Sequence, residues 1–299
     1  MSNLSDIYLP VQRIIPFSNV EGIGNRTSIF LQGCNLNCLY CHNPETIAMV
    51  STTARLYSLA QLIEEIKASM PFIRGITVSG GEPTIYAREL TLLFREVKKL
   101  GLSCYLDSNG FFPYDAIIDL IEETDKFLFD IKGSGQGLKE LCFSGKYLKT
   151  KAADQSPQLV VQTEGKDLAA EPLPLSRQSF AQSSNPAGQR LEGQTLVGSE
   201  SAEMLGRNFQ NLRKLLALGK IEEVRLVHIK GYYDEQATVR QIASCLQDYP
   251  EVLFKLIRVH AKGSRGAKDI AAHLPKREET EQLAAYARQQ GLIRQVVIL

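Results

Sequence analysis

Short β-rich runs and amphipathic helical stretches take turns along almost the whole chain, and few architectures accept that order. Ser28 to Gln32 reads as a strand, and Leu59 to Met70 as a helix with Leu59, Leu62, Ile63 and Ile66 on one face. Ser58 and Gln61 are spaced to close that helix's start as a capping box. The same unit then recurs: strand Gly75 to Ser79 and helix Ala87 to Leu100, strand Leu102 to Leu106 and helix Tyr114 to Glu123, strand Phe127 to Ile131 and helix Leu138 to Leu148. A helix over Leu205 to Leu218 follows, then strand Val224 to Ile229, helix Glu235 to Asp248, strand Val252 to Val259, helix Glu278 to Gln290 and a last strand from Leu292 to Leu299. Such alternation builds right-handed βαβ units on a parallel sheet, closed, partly closed into a barrel, or open and doubly wound.

One segment breaks the rhythm. Thr150 to Met204 is rich in Ser, Gln, Gly and Pro with a single aromatic, Phe180, and is expected to be a disordered insertion without a core of its own. The remaining length, about 245 residues, suits one barrel-like domain. The domain is thus expected to span residues 1–299, interrupted by 150–204.

With 44% hydrophobic and 22% charged residues the chain has the makings of a globular core, and a formal charge of +1 gives no bulk attraction to nucleic acid or an anionic membrane. No run approaches the ~18 apolar residues of a spanning helix. The N-terminal MSNLSDIY lacks the basic and apolar regions of a secretory signal, so a cytoplasmic location is expected.

The six cysteines are too few for a disulfide scaffold and are unevenly placed. Cys34, Cys38 and Cys41 fall together in QGCNLNCLYCHN, whereas Cys104, Cys142 and Cys245 stand alone. A three-thiolate loop suits either zinc, with a fourth ligand from His42 or a distant residue, or an iron-sulfur cube with one iron left without a protein ligand. Direct adjacency of His42 to Cys41 and the lack of two separated ligand pairs favour the cube.

Polar residues cluster where strands end: Ser79-Gly80-Gly81-Glu82, Asp107-Ser108-Asn109-Gly110, Asp130 with Lys132, Arg225 and His228, and His260. In parallel α/β folds the carboxyl ends of the strands form the ligand-binding face, so these groups are expected to converge and an enzyme is expected.

The motif C-x3-C-x2-C (Cys34, Cys38, Cys41), followed by Gly80-Gly81-Glu82-Pro83 at a strand end, resembles the radical S-adenosylmethionine (SAM) superfamily, which implies a partial (β/α)6 TIM-like barrel. The stretches IIPFSNVEGIGNRTSIFLQGCNLNCLYCHNPET, GITVSGGEPT, LDSNG and FDIKG further resemble a glycyl-radical-enzyme activating enzyme, similar to the pyruvate formate-lyase activating enzyme and most like the YjjW-type branch. The likeness spans nearly everything outside Thr150 to Met204. It implies one 4Fe-4S cluster held by the three cysteines, SAM chelated to the open iron, and reductive cleavage to a 5'-deoxyadenosyl radical that takes a hydrogen atom from a glycine of a partner enzyme. It implies a cofactor pocket of Gly80, Gly81 and Glu82 at the methionine amino group, where two glycines would let backbone approach the ligand and Glu82 would offer acceptors. Asp107, Ser108, Asp130, Lys132 and Arg225 would line the polar end, with Tyr40 and His42 at the adenine and His260 near the ribose. In some members such carboxylates also hold a monovalent cation. A flavodoxin- or ferredoxin-type electron donor, a glycyl radical enzyme as protein substrate, and a monomeric state are implied with it.

Two departures stand out. Close activases carry Asp-Gly-Pro-Gly where this chain has Glu21-Gly22-Ile23-Gly24, so Glu21 is the residue expected to receive the partner's glycine loop, with a longer side chain and a less rigid backbone. Many YjjW-type members insert further clusters after the cysteine loop; here only Asn43 to Tyr57 connects loop and helix, so a single cluster is expected. Chemistry on a small molecule, as in 7-carboxy-7-deazaguanine synthase, and a non-catalytic zinc-binding module remain the competing functions.

Overall fold

A computed structural model describes residues 3–143 and 199–299 of the chain. In chain order the strands are β1 (Tyr8–Ser18), β2 (Arg26–Leu31), β3 (Arg55–Ser58), β4 (Gly75–Gly80), β5 (Ser103–Ser108), β6 (Lys126–Ile131), β7 (Ile221–His228), β8 (Leu253–Arg258) and β9 (Gln295–Ile298). The helices are α1 (Leu59–Ala68), α2 (Ala87–Lys99), α3 (Ile118–Glu123), α4 (Gly135–Cys142), α5 (Ser199–Ala217), α6 (Glu235–Leu246) and α7 (Arg277–Gln289). The strands form one sheet in the order β3-β1-β2-β4-β5-β6-β7-β8-β9. From β2 to β9 all neighbours are parallel, while β1 runs antiparallel to both β2 and β3.

The expected βα units are present, and their local signals work as read. Ser58 Oγ accepts from Gln61 N at 3.2 Å while Gln61 Oε1 accepts from Ser58 N at 2.8 Å, closing the capping box of α1. Leu90, Leu93, Phe94 and Val97 of α2 are fully buried against the sheet. The helix expected from Leu205 begins instead at Ser199. The part of the 150–204 insertion that precedes this helix lies outside the described residues, as do the last residues of the helix expected to reach Leu148. Among the described residues no helix is long and apolar enough to cross a membrane.

Two strands escaped the sequence reading. β1 holds Pro10 and Pro16, which argue against a strand, but Pro16 falls in a register irregularity between Ile15 and Ser18 where a ladder bond is interrupted in any case. β3 has only four residues, too few for a period to show. Together they extend the sheet beyond β2 on the antiparallel side.

The first parallel strands, β2 and β4, are buried almost throughout, whereas burial alternates along β5 and shows what the barrel encloses there. In β5, Cys104, Leu106 and Ser108 are buried, Cys104 Sγ reaching Phe94 O of α2 at 3.8 Å, whereas Ser103, Tyr105 and Asp107 point the other way and are only partly buried. β7 and β8 repeat this, with Arg225 and Lys255 half-buried between apolar neighbours. A barrel interior that is charged and half-open is a ligand trough; a packed one would carry branched apolar side chains.

Candidate active site

The cysteine loop leaves β2 at its carboxyl end and is hung by main-chain bonds. Gly33 N donates to Thr46 O at 2.8 Å and Cys34 N to Ile47 O at 3.1 Å, while Glu82 N donates to Gly33 O at 2.8 Å and Gly81 N to Leu31 O at 2.9 Å. The turn after β4 is therefore the base of the loop. This explains both glycines. Gly80 has φ +113°, and a Cβ there would lie 2.2 Å from Leu31 N; one on Gly81 would lie 1.9 Å from Gly33 O. At both positions the atoms a Cβ would meet belong to the cysteine-loop side of the chain itself, Leu31 and Gly33.

Glu82 likewise turns inward. It is fully buried, and its carboxylate accepts from Thr84 N at 3.2 Å, Thr84 Oγ1 at 2.6 Å, Ser108 Oγ at 2.9 Å and Asn109 N at 2.8 Å. Burial pushes its pKa up, and these donors work against the shift. Glu82 ties the ends of β4 and β5 together, and Ser108 acts through it; three of these bonds fall on Oε1 and one, from Asn109 N, on Oε2. From the β5 end, Asn109 Nδ2 reaches Cys34 Sγ at 3.9 Å and Asn35 Oδ1 at 2.7 Å, so the loop after β5 also braces the cysteine loop.

Below the cysteines lies the charged layer. Arg225 Nη2 is 2.8 Å from Asp107 Oδ1, and its Nε is 3.4 Å from Asp130 Oδ1 and 3.0 Å from Glu223 Oε1. Lys132 Nζ donates to Asp130 Oδ2 at 2.5 Å, Lys255 Nζ to Glu223 at 2.9 Å, and Ser79 Oγ to Asp107 Oδ2 at 2.8 Å. Three carboxylates thus face three cations, a neutral layer that survives burial because every charge has a partner. The two aspartates differ. Burial, helped by the neighbouring Asp130, raises Asp107, and Arg225, Ser79 and Lys132 do not outweigh it; burial also opposes ionisation of Asp130, but Lys132 and Arg225 together hold it below its ordinary value. Burial lowers Lys132 and Asp130 more than reverses it, so the ammonium stays charged.

Glu223 and Lys255 were not singled out from sequence. A signal existed: Glu223 stands two residues before Arg225, on the same face of β7, and Lys255 pairs in register with Arg225 across β7 and β8.

The remaining candidates sit around this layer. Tyr40 is buried with its ring 5.8 Å from Lys132 Nζ. His42 and His260 stack with ring centroids 4.3 Å apart, and His42 Nε2 contacts His260 O at 3.1 Å. Burial lowers the pKa of His42, favouring neutral imidazole. Glu21, in the β1 to β2 hairpin, accepts from Ser28 Oγ at 2.9 Å and from Ser18 Oγ, while Thr77 Oγ1 donates to Glu21 O at 2.7 Å. Ser28 and Thr77 are in register and lie two residues before Phe30 and Ser79, so Glu21 stands one pleat below the Ser79 to Asp107 contact.

The donor set fits a cubane. Burial raises the pKa of Cys34, and that of Cys41 to about 11, so these thiols ionise when metal supplies the positive charge. Leu36 N already points at Cys34 Sγ from 3.4 Å. Among the described residues no three His, Cys, Asp or Glu side chains are gathered as a single ion requires; a cubane binds each thiolate to a different iron. His42, the adjacent alternative zinc ligand, has its ring engaged with His260. A polar ligand beside the cluster also has donors waiting: Arg225 Nε and Nη2 are buried at ion-pair distances without an acceptor in hydrogen-bond geometry, and Tyr40 Oη has no oxygen or nitrogen partner.

Residues 28–153 match the model of the radical SAM superfamily. The chain is 47% identical, over 299 residues and the full length of both proteins, to a Haemophilus influenzae protein whose name places it among glycyl-radical enzyme activating enzymes. It is 37% identical over 123 residues to the pyruvate formate-lyase-activating enzyme of Staphylococcus aureus, covering 38% of this chain and 49% of that protein. The crystal structure of QueE from Escherichia coli aligns with a TM-score of 0.50 at 13% identity, covering 97% of this chain and 93% of that one, a likeness of fold alone.

Proposed function

Because the chain belongs to the glycyl-radical enzyme activating enzymes, within the radical SAM superfamily, we propose that it installs the radical of a partner glycyl radical enzyme. The observation that carries this is the juxtaposition of a three-thiol loop with a buried, charge-neutral layer at the carboxyl ends of a parallel sheet. A 4Fe-4S cluster bound there supplies one electron to SAM, yielding methionine and a 5'-deoxyadenosyl radical that takes a hydrogen atom from a glycine Cα of the partner.

The chain's own residues bind and orient. Cys34, Cys38 and Cys41 would each hold one iron of the cluster. The turn Gly80-Gly81-Glu82 receives the methionine amino group through its main chain, with Glu82 fixing the turn and Ser108 fixing Glu82. Arg225 and Lys132 offer cationic donors to the ligand carboxylate; Asp107 and Asp130 balance them and are the groups that would hold a monovalent cation. Tyr40 and His42 flank the adenine, with His260 at the ribose. Glu21, one pleat deeper, meets the partner's glycine loop as it enters the trough and displaces water. The electron comes from a flavodoxin- or ferredoxin-type donor, and the activase works as a monomer.

The test is anaerobic: reconstituted protein, reductant, SAM and the cognate enzyme should give a glycyl-radical EPR doublet on the partner. SAM cleavage coupled to a small molecule with no protein radical would move the function to small-molecule chemistry. A preparation holding about one zinc and no iron or sulfide would overturn both.

A further inference from the structure

The outer side of the cysteine loop is covered by the segment that follows β8. Arg265 N donates to Cys41 O at 3.0 Å, Arg265 Nε to Cys38 O at 3.1 Å, Arg265 Nη2 to Asn37 O at 2.7 Å, and Gly266 N to Leu39 O at 2.7 Å. Gly263 lies against His42. This strap is basic: between Arg258 and Lys276 the sequence has five Lys or Arg and one acidic residue, Asp269, in a chain whose formal charge is only +1. Lys262, Arg265 and Lys268 are exposed, and none has a carboxylate within ion-pair distance among the described residues.

Two of the three clustered cysteines are therefore one hydrogen bond away from an exposed, unneutralised cationic surface. The inner side of the same loop faces the trough, which the proposed function fills with SAM and the partner's glycine. An electron carrier that docks while both are bound must approach from outside, and the strap is what it meets there.

Resting on the activase function above, we propose that the 261–268 strap is the docking surface for an acidic one-electron carrier protein, with Lys262 and Lys268 steering it and Arg265 linking it to the cysteine loop. One electron leaves the reduced carrier and enters the cluster; the carrier ends oxidised by one electron, and no bond or proton is exchanged. Because the steering charges are exposed, the association weakens as salt rises.

The experiment uses the reconstituted protein and a reduced, acidic flavodoxin. A Lys262→Glu/Lys268→Glu double variant should bind the flavodoxin at least about tenfold more weakly at low salt by titration calorimetry, with a flattened salt dependence. Stopped-flow reduction of the cluster by flavodoxin should slow in step, while reduction and SAM cleavage driven by dithionite, which needs no docking, stay at the wild-type level. Unchanged flavodoxin affinity overturns the proposal. So does an equal loss with dithionite and flavodoxin, because the strap would then only hold the cysteine loop in place. Wild-type protein that fails to cleave SAM with dithionite would instead overturn the function itself.

Discussion

Burial keeps the thiols of Cys34 and Cys41 from ionising until metal arrives, whereas the hydrogen bond with Cys142 and the charge of Lys132 lower the pKa of Cys38, and each of the three should be indispensable to holding the metal. Alanine at Cys34, Cys38 or Cys41 should strip most iron and sulfide from anaerobically purified protein, measured by metal and sulfide analysis. Alanine at Cys104, Cys142 or Cys245 should leave both in place; Cys142, whose thiol contacts Cys38 and Tyr40, is the stringent control, and iron lost with it alone would redraw the ligand set. The spacing of the three cysteines was plain in the sequence because ligand geometry is encoded locally. The inward turn of Glu82 was not, since its donors Thr84, Ser108 and Asn109 come from two strand ends that only the fold brings together. Glu82→Gln puts an amide where the protein offers only donors, and should cost about 1 to 3 kcal/mol of stability. Urea unfolding of the two proteins measures it, and coincident midpoints would mean that the carboxylate bears none of this structure.

Helix positions were largely readable from apolar spacing, as the buried Phe209, Leu212, Leu215 and Leu216 of α5 illustrate. Polar residues sharing that face were not. Asn208 Nδ2 donates to Asn109 O at 2.6 Å and Asp130 O at 3.1 Å, and Asn211 Nδ2 to Gly110 O at 2.9 Å and Phe112 O at 2.8 Å, so α5 clamps the loop that braces Cys34. Asn211→Leu leaves two carbonyls without this donor and should cost about 1 to 3 kcal/mol, again read from urea midpoints. The joint between β7 and α7 makes a pH prediction. His228, buried, meets Thr280 Oγ1 at 2.9 Å, and burial pushes its pKa down to about 4, with Lys230 lowering and Glu279 raising it. Unfolded, the imidazole titrates near ~6.5, so between these values the unfolded chain binds a proton that the native one refuses. Stability is fully present above about 6.5 and falls as pH drops toward 4, by ~1 to 2 kcal/mol once partial solvent access is discounted. His228→Gln should flatten melting temperature against pH in that window; a wild-type curve no steeper than the variant's would exclude His228 as the source.

The sheet is open, ending in β3 on one side and β9 on the other, and it gathers charge inside instead of filling itself with apolar side chains. Strand and helix order restricted the molecule to a parallel α/β fold but left closure undecided, because closure depends on tilt and register, which no single βα unit carries. The polar strand ends foretold where the charged layer gathers; the pairing of its charges across β5 to β8 needed the register. A molecule so arranged has two mechanically different parts. The amides of β2 and β4 to β8 are bonded to neighbouring strands, whereas the cysteine loop hangs from Thr46, Ile47 and the Gly80-Gly81-Glu82 turn and is covered by the 261–268 strap. Metal that binds only the native loop stabilises the whole protein by mass action, yet the ordering it adds is confined to what it touches. Hydrogen exchange of metal-free and reconstituted protein, compared under anaerobic native conditions, should therefore show added protection concentrated in residues 33–47 and 261–266, with the local openings of the sheet unchanged. Protection rising evenly across β5 to β8 instead would mean that the trough itself is assembled by the cluster, and that the charged layer is not preformed.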